Sequence, residues 1–260
     1  MVKIVEPKVE IIGDINGTEI LKHIELCARN CYKSEGNITD DISSAEKMIK
    51  KLIELDHTAM LEHSSITVKM LTDVGSYKDL SRHRHASFAI ESTRYCNYSK
   101  GKFGNELTVI NPCNIKPDTA IYHIWLKTMN DIEKAYMDMS EFKALPDQMR
   151  MILPHSLAAS VVMSANIREW RYIFNLRCAK AAHPTVRQIM LMTMNEFHTL
   201  IPILFDDIFD KYFDDIIEMQ AIQKMVRLNL KDKSSEERAL ILQKIKEYKN
   251  NHNDITIIEE

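Results

Sequence analysis

Three arginines and two histidines fall within thirteen positions of the chain, in the run Arg82-His83-Arg84-His85-Ala86-Ser87-Phe88-Ala89-Ile90-Glu91-Ser92-Thr93-Arg94-Tyr95. A guanidinium presents a planar fork of donors that matches phosphate and carboxylate oxygens. Like charges this close repel one another unless an anion gathers them. An anionic ligand is therefore one reading of the run, and a solvated basic loop is the other. A metal site is a third, because His57, His63, His83 and His85 carry imidazoles. Against it, Arg82 and Arg84 flank His83, and neither H-E-x-x-H nor C-x-x-C occurs.

A second feature is helical. Trp170, Ile173, Phe174 and Arg177 are spaced i, i+3, i+4 and i+7, so Arg177 continues an apolar stripe. A guanidinium on a core-facing line calls for a partner or ligand. Equally, an arginine ending a helix can snorkel to solvent and favour the helix dipole. Asn166 and Arg168 add donors at the other end of the same helix. The segment Asp56-His57-Thr58-Ala59-Met60-Leu61-Glu62-His63 reads by itself as a hydrogen-bonded turn.

The elements that must position these groups follow from periodicity. Residues 3 to 12 read as a strand, 17 to 33 and 43 to 55 as helices, the second capped at Ser43 or Ser44. Ile66, Val68, Met70 and Val74 alternate along a half-buried strand over 64 to 74. A short helix covers Tyr77 to His83, and His85 to Lys100 reads as a loop without period. Further on come a strand at 107 to 110, helices at 117 to 142 and 146 to 153, and a strand at 157 to 165. Helices at 166 to 177 and 184 to 204 follow, with Pro184 suited to a first helical position. A charged amphipathic helix is expected over 233 to 250, with a frayed end. The fold class is α+β: one mixed α/β catalytic domain over 1–260, its core to about residue 210 and a helical C-terminal extension from about 211.

Composition narrows the function classes. With 45% hydrophobic and 27% charged residues, the 260-residue chain is ordinary for a globular protein. Six glycines and no G-x-G-x-x-G or P-loop pattern exclude the usual glycine-rich dinucleotide and phosphate loops. A net charge of −3 opposes a general nucleic-acid binder, although a basic-loop nucleic-acid-binding protein using Arg82, Arg84, Arg94 and Tyr95 is the alternative function. Neither a transmembrane run nor a signal-peptide core is seen, and five irregularly spaced cysteines suggest no disulfide framework, so the expected setting is the cytoplasm.

Arg82-His83-Arg84, seven residues and then Ser92 reproduce the R-H-R-x7-S signature of the flavin-dependent thymidylate synthases. Ser92-Thr93-Arg94-Tyr95 resembles that family's S-x-R-Y, and His57 with Glu62-His63 lies at its upstream distance. Arg150 in Arg150-Met151-Ile152-Leu153-Pro154 resembles its R-x-x-L-P element, and Asn166-Ile167-Arg168 with Asn175-Leu176-Arg177 its N-x-R and L-R elements. The similarity runs over about residues 16 to 205.

The resemblance implies a homotetramer with active sites built from several subunits. It implies FAD as cofactor, NADPH and methylenetetrahydrofolate as co-substrates, and dUMP as substrate. On it, Arg82, His83, Arg84, Asn166, Ile167, Arg168 and Tyr172 contact FAD, with His57, Glu62 and Glu91 also among the cofactor residues. Ser92, Thr93, Arg94 and Arg150 hold dUMP, chiefly its phosphate, joined by Arg82, Asp79 and Glu91, while Arg177 meets the uracil edge. Asp79 and Ile90 stand where Gln or Glu is common, Ala59 where Ser or Thr is frequent, and Ala181-Ala182-His183-Pro184 replaces H-A-Q. Asn111-Pro112-Cys113 offers a Pro-Cys pair like that of cysteine-dependent methylation. It lies outside every matched element, and the resemblance implies no enzyme nucleophile. Arg177 is then expected to polarise the uracil ring, and Ser92 to contact substrate rather than attack it.

Overall fold

A computed structural model describes residues 1–222, 225–228, 243 and 256–259. Pro7, which lacks an N–H for a ladder, breaks the opening run into β1 (Lys3–Val5) and β2 (Lys8–Ile12). Then come α1 (Gly17–Asn30), α2 (Ser43–Glu54), a 3-10 turn at Thr58–His63, β3 (Ser65–Asp73) and α3 (Val74–Leu80). After these lie β4 (Ala86–Ile90), β5 (Thr108–Ile110), α4 (Ala120–Glu141) and α5 (Pro146–Met149), which runs on as a 3-10 turn over Arg150–Ile152. The chain continues through β6 (Ala158–Asn166), α6 (Ile167–Arg177), α7 (Pro184–Leu200), α8 (Asp206–Ile222), β7 (Met225–Leu228) and β8 (Thr256–Glu259). This is the mixed α/β composition expected.

Four expectations are corrected. The loop at 85 to 100 contains a strand, β4. The helix after β3 starts at Val74, where Asp73 Oδ1 accepts the Ser76 N–H and caps it. Helix α2 is not capped by its serines; Asp41 Oδ1 accepts both the N–H and the hydroxyl of Ser43. Beyond α8, β7 and β8 pair in parallel where helix and a frayed end are expected; β8 carries three β-branched residues, Thr256, Ile257 and Ile258, a type that favours strands. The helix expected over 233 to 250 lies outside the described residues, apart from Gln243, which is helical.

Two compact units account for the described chain. One comprises Met1–Gly13, Ile66–Ala165 and Lys180–Ile189; the other comprises Asp14–Ser65, Asn166–Ala179 and Met190 onward. The first holds a four-stranded sheet in the order β2-β3-β6-β4. Its β2 and β3 run antiparallel with Val9 opposite Met70, and β4 and β6 antiparallel with Phe88 opposite Met163. Strand alternation buries Ile66, Val68 and Met70 completely, as the pattern predicts. Strand β1 pairs in parallel with β5, beside a core of Val2, Tyr98, Leu107, Val109, Met129, Tyr136, Met149 and Leu157.

The second unit is helical. Trp170, Phe174, Phe197 and Phe205 form a ring cluster with centroids 4.9 to 5.8 Å apart, which locks α6 against α7. Helix α1 begins at Gly17 after the Asn16 cap, whose Oδ1 accepts the Glu19 N–H at 3.3 Å, and a Cβ on Gly17 would stand 2.7 Å from the Leu200 carbonyl oxygen. Buried Glu25 joins α1 to α2 by accepting from Arg29 Nε at 2.7 Å and from the Ser44 hydroxyl at 3.0 Å. Among the described residues, no helix is long and apolar enough to cross a membrane.

Candidate active site

The turn joining α3 to β4 sorts its basic residues by direction. Backbone bonds from Arg82 N–H to the Asp79 carbonyl and from His83 N–H to the Leu80 carbonyl wind the chain tightly after α3. His83 is thereby turned inward and buried, while Arg82, Arg84 and His85 face solvent. Among the described residues, Arg82, Arg84 and Arg150 have no ion-pair partner, and all three are exposed. Asp79 is half-buried in the last turn of α3.

Strand β4 delivers the next group. Glu91 directly follows it, with its N–H bonded to the Ser160 carbonyl, and its carboxylate accepts the Tyr98 hydroxyl at 2.8 Å and the Ser160 N–H at 3.3 Å. That tie anchors the start of Ser92-Thr93-Arg94. The Ser92 hydroxyl accepts the Arg94 N–H at 3.3 Å, and Arg94 Nε lies 3.2 Å from Asp147 Oδ1. Arg94 and Asp147 are 58% and 57% exposed, so the pair is weak and exchangeable. Asp147 sits in the first turn of α5, three residues before Arg150.

The remaining expected residues belong to the second unit. His57 is exposed at the start of the 3-10 turn that carries Glu62. Glu62 Oε1 accepts from Arg168 Nη1 at 2.5 Å, joining that turn to the first turn of α6. Asn166 caps α6 by accepting the Glu169 N–H at 2.8 Å, which leaves its amide NH2 to donate. Ile167 is fully buried with its N–H given to the Ser64 carbonyl, whereas Tyr172 is 57% exposed. Trp170, Ile173 and Phe174 are fully buried, and Arg177 ends their stripe half-buried. Asp79, Arg82, His83, Arg84, Glu91, Ser92, Thr93, Arg94 and Arg150 thus belong to one unit, and His57, Glu62, Asn166, Ile167, Arg168, Tyr172 and Arg177 to the other.

The donor set suits anions. Three guanidiniums without an ion pair among the described residues, and a fourth in a solvent-screened pair, carry the planar donor forks that match phosphate oxygens. The described residues hold no group of three or more His, Cys, Asp or Glu able to take a metal ion. Cys113, in the loop after β5, is exposed, yet its thiol is pushed up to about 11, first by desolvation from the surrounding protein and then by the Asp73 and Glu6 carboxylates.

The model of the family described as thymidylate synthase complementing protein, Thy1, matches residues 15–203. The chain belongs to this family. Relatives of this Thy1 chain include the flavin-dependent thymidylate synthase of Corynebacterium glutamicum, 24% identical over 217 residues that cover 76% of this chain and 83% of the relative. A probable flavin-dependent thymidylate synthase of Mycobacterium phage L5 is 26% identical, covering 76% of this chain and 83% of its own. The crystal structure of the UMP/dUMP methylase PolB from Streptomyces cacaoi, bound with 5-Br dUMP, superposes with a TM-score of 0.64 at 17% identity, over 81% of this chain and 97% of that one. That likeness establishes the fold. Sequence reasoning on this Thy1 chain passed over Asp147; its one local signal was its position three residues before Arg150.

Proposed function

We propose that this chain is a flavin-dependent thymidylate synthase, which methylates C5 of the uracil ring of dUMP to give dTMP. FAD is its bound cofactor, and methylenetetrahydrofolate and NADPH are its co-substrates. The enzyme works as a homotetramer in the cytoplasm, with residues 1–260 as a single catalytic domain. The observation that carries the reading is the set of exposed guanidiniums at Arg82, Arg84 and Arg150, none with an ion pair among the described residues, in a chain of the Thy1 family.

The residues present fit both anionic molecules. Arg94, Arg150, Ser92 and Thr93 hold the dUMP phosphate, assisted by Arg82 and Asp79, while Glu91 braces their loop. In the first unit Arg82, His83 and Arg84, and in the second His57, Glu62, Asn166, Ile167, Arg168 and Tyr172, are the residues assigned to FAD, with the guanidiniums and the Asn166 amide as donors. When bound, FAD supplies the reducing equivalents that side chains cannot.

Uracil C5 becomes nucleophilic when electron density is pushed into the ring. A guanidinium bonded to a uracil carbonyl or to N3 stabilises the negative charge that develops there. In a site shielded from water such a donor contributes on the order of 3–4 kcal/mol. Arg177 has that role; its half-buried place at the end of the Trp170, Ile173, Phe174 stripe supports it. In this reading no enzyme cysteine attacks C6, and a Cys113 thiol raised to about 11 is a poor candidate because it is almost wholly protonated at neutral pH.

Purified protein should show a flavin absorbance band that bleaches with NADPH and returns with dUMP and methylenetetrahydrofolate, with dTMP formed. A colourless protein that makes no dTMP and binds nucleic acid with steep salt dependence would instead favour the basic-loop reading.

A further inference from the structure

The role of the chain beyond the Thy1 match can be read from what α8 does to α6. Two rungs join these helices within the second unit. In the first, Arg171 makes a two-pronged ion pair with Asp207, Nη1 to Oδ1 at 2.8 Å and Nη2 to Oδ2 at 2.7 Å, and also donates to the Leu204 carbonyl. Its side chain is only 12% exposed, so the pair is better shielded than Arg94 with Asp147. In the second, one helical turn on, Lys211 donates to Asn175 Oδ1 at 3.1 Å and the Tyr212 hydroxyl donates to the Asn175 carbonyl at 3.0 Å. That carbonyl is one of the last four of α6, which lack partners inside the helix.

Arg171 and Asn175 are four apart on α6, and Asp207 and Lys211 four apart on α8, so both rungs lie along one line. The neighbouring flank of α6 is held by the Trp170, Phe174, Phe197 and Phe205 rings. An aromatic cluster on one flank, and one ionic and one hydrogen-bonded rung on the next, together oppose a roll of the helix. Arg177 follows the second rung by two residues. Side chains reach about 5–6 Å from a helix axis, so a roll of about 20° would move the guanidinium by roughly 2 Å. A displacement of about 1 Å costs catalysis on the order of a hundredfold.

We infer that Asp207 and Tyr212 of α8 are positioning residues, which fix the roll of α6 and so aim Arg177 at the uracil ring. This rests on the role proposed for Arg177. The clamp lies at 206–222, outside the matched residues 15–203, and gives that segment a part in catalysis without any contact with substrate.

The test uses Asp207→Asn, Asp207→Glu and Tyr212→Phe in the full chain, with kcat, KM for dUMP, flavin content, and hydrogen exchange of the amides at 174–178. Asp207→Asn and Tyr212→Phe should lower kcat by about tenfold, leave flavin content and KM for dUMP within about twofold, and speed exchange at 174–178. Asp207→Glu should recover most of kcat, because it restores the fork. Unchanged kcat with unchanged exchange overturns the inference, and so does a fall in kcat that merely tracks lost flavin or lost folded protein. If the unmutated protein makes no dTMP, the proposed function fails, and exchange alone decides the clamp: equal protection at 174–178 in all chains refutes it.

Discussion

Arg94 Nε and Asp147 Oδ1 stand 3.2 Å apart, so the guanidinium expected to take the substrate phosphate already holds a carboxylate. A phosphate has to displace that carboxylate or share the guanidinium with it. Exposed pairs of this kind contribute about 0.2–1 kcal/mol. Asp147→Asn should therefore tighten dUMP binding by up to about fivefold, measured by calorimetry, and leave deoxyuridine binding unchanged. Weaker dUMP binding would show that Asp147 orients Arg94 rather than competing for it.

Arg94→Ala removes the guanidinium itself. Loss of a charge-assisted contact should weaken dUMP by about 1.5–3 kcal/mol, with a shallower dependence on salt because one cation fewer meets the phosphate. Deoxyuridine, which has no phosphate, should bind both proteins alike. An unchanged dUMP dissociation constant would remove Arg94 from the phosphate site.

These residues show what periodicity conveys and what it does not. The stripe of Trp170, Ile173 and Phe174 is legible because burial on a helix repeats within the segment itself, and the structure buries all three. The alternation of β3 is legible for the same reason. Strand β4 reads as loop in the sequence because its ladder partner, β6, lies far along the chain, with Ala86 opposite Ala165 and Ile90 opposite Val161. Its own faces alternate only between half-buried and exposed. The Arg94–Asp147 and Glu62–Arg168 pairs are likewise tertiary, and no local spacing announces them. The turn that buries His83 while exposing Arg82 and Arg84 depends on where α3 ends, and that end is set by backbone bonds.

Arg177→Ala should keep flavin and lose turnover. Its neighbours Trp170, Ile173 and Phe174 carry the packing, so the variant should fold and stay yellow. Removing one donor to a developing negative charge should lower kcat by about 100- to 1000-fold. Steady-state rates alongside the flavin spectrum provide the check, and turnover near that of the unmutated protein would take the polarising role away from Arg177.

Cys113→Ser should remain active. The thiol is raised to about 11 by desolvation from the ordinary value of 9.0, so iodoacetamide should modify it slowly at pH 8. The sign of the stability effect follows from protons bound. Between pH 9 and 11 the unfolded chain has released this proton while the folded chain keeps it, so Cys113 favours folding below about 9 and loses that contribution as pH rises towards 11. Urea titrations across this window should show a decline that is smaller in Cys113→Ser. A folded but inactive Cys113→Ser would restore the cysteine mechanism.

Tyr98→Phe tests whether Glu91 is a brace. Tyr98 is 7% exposed and donates its hydroxyl to Glu91 Oε1 at 2.8 Å, while burial and the Glu91 carboxylate hold its phenol well above the usual tyrosine range. The ring packs edge-on against Phe103 and tilted against Tyr136, contacts that phenylalanine retains. What changes is one hydrogen bond to a carboxylate, with a cost of about 1.5–3 kcal/mol and a Tm lowered by several degrees. Because Glu91 directly precedes Ser92, the freed loop should also bind dUMP more weakly, although no group that touches the nucleotide has been altered. An unchanged Tm would mean that the Ser160 N–H holds Glu91 unaided, and a lowered Tm with unaltered dUMP affinity would separate the brace from the phosphate loop it is expected to steady.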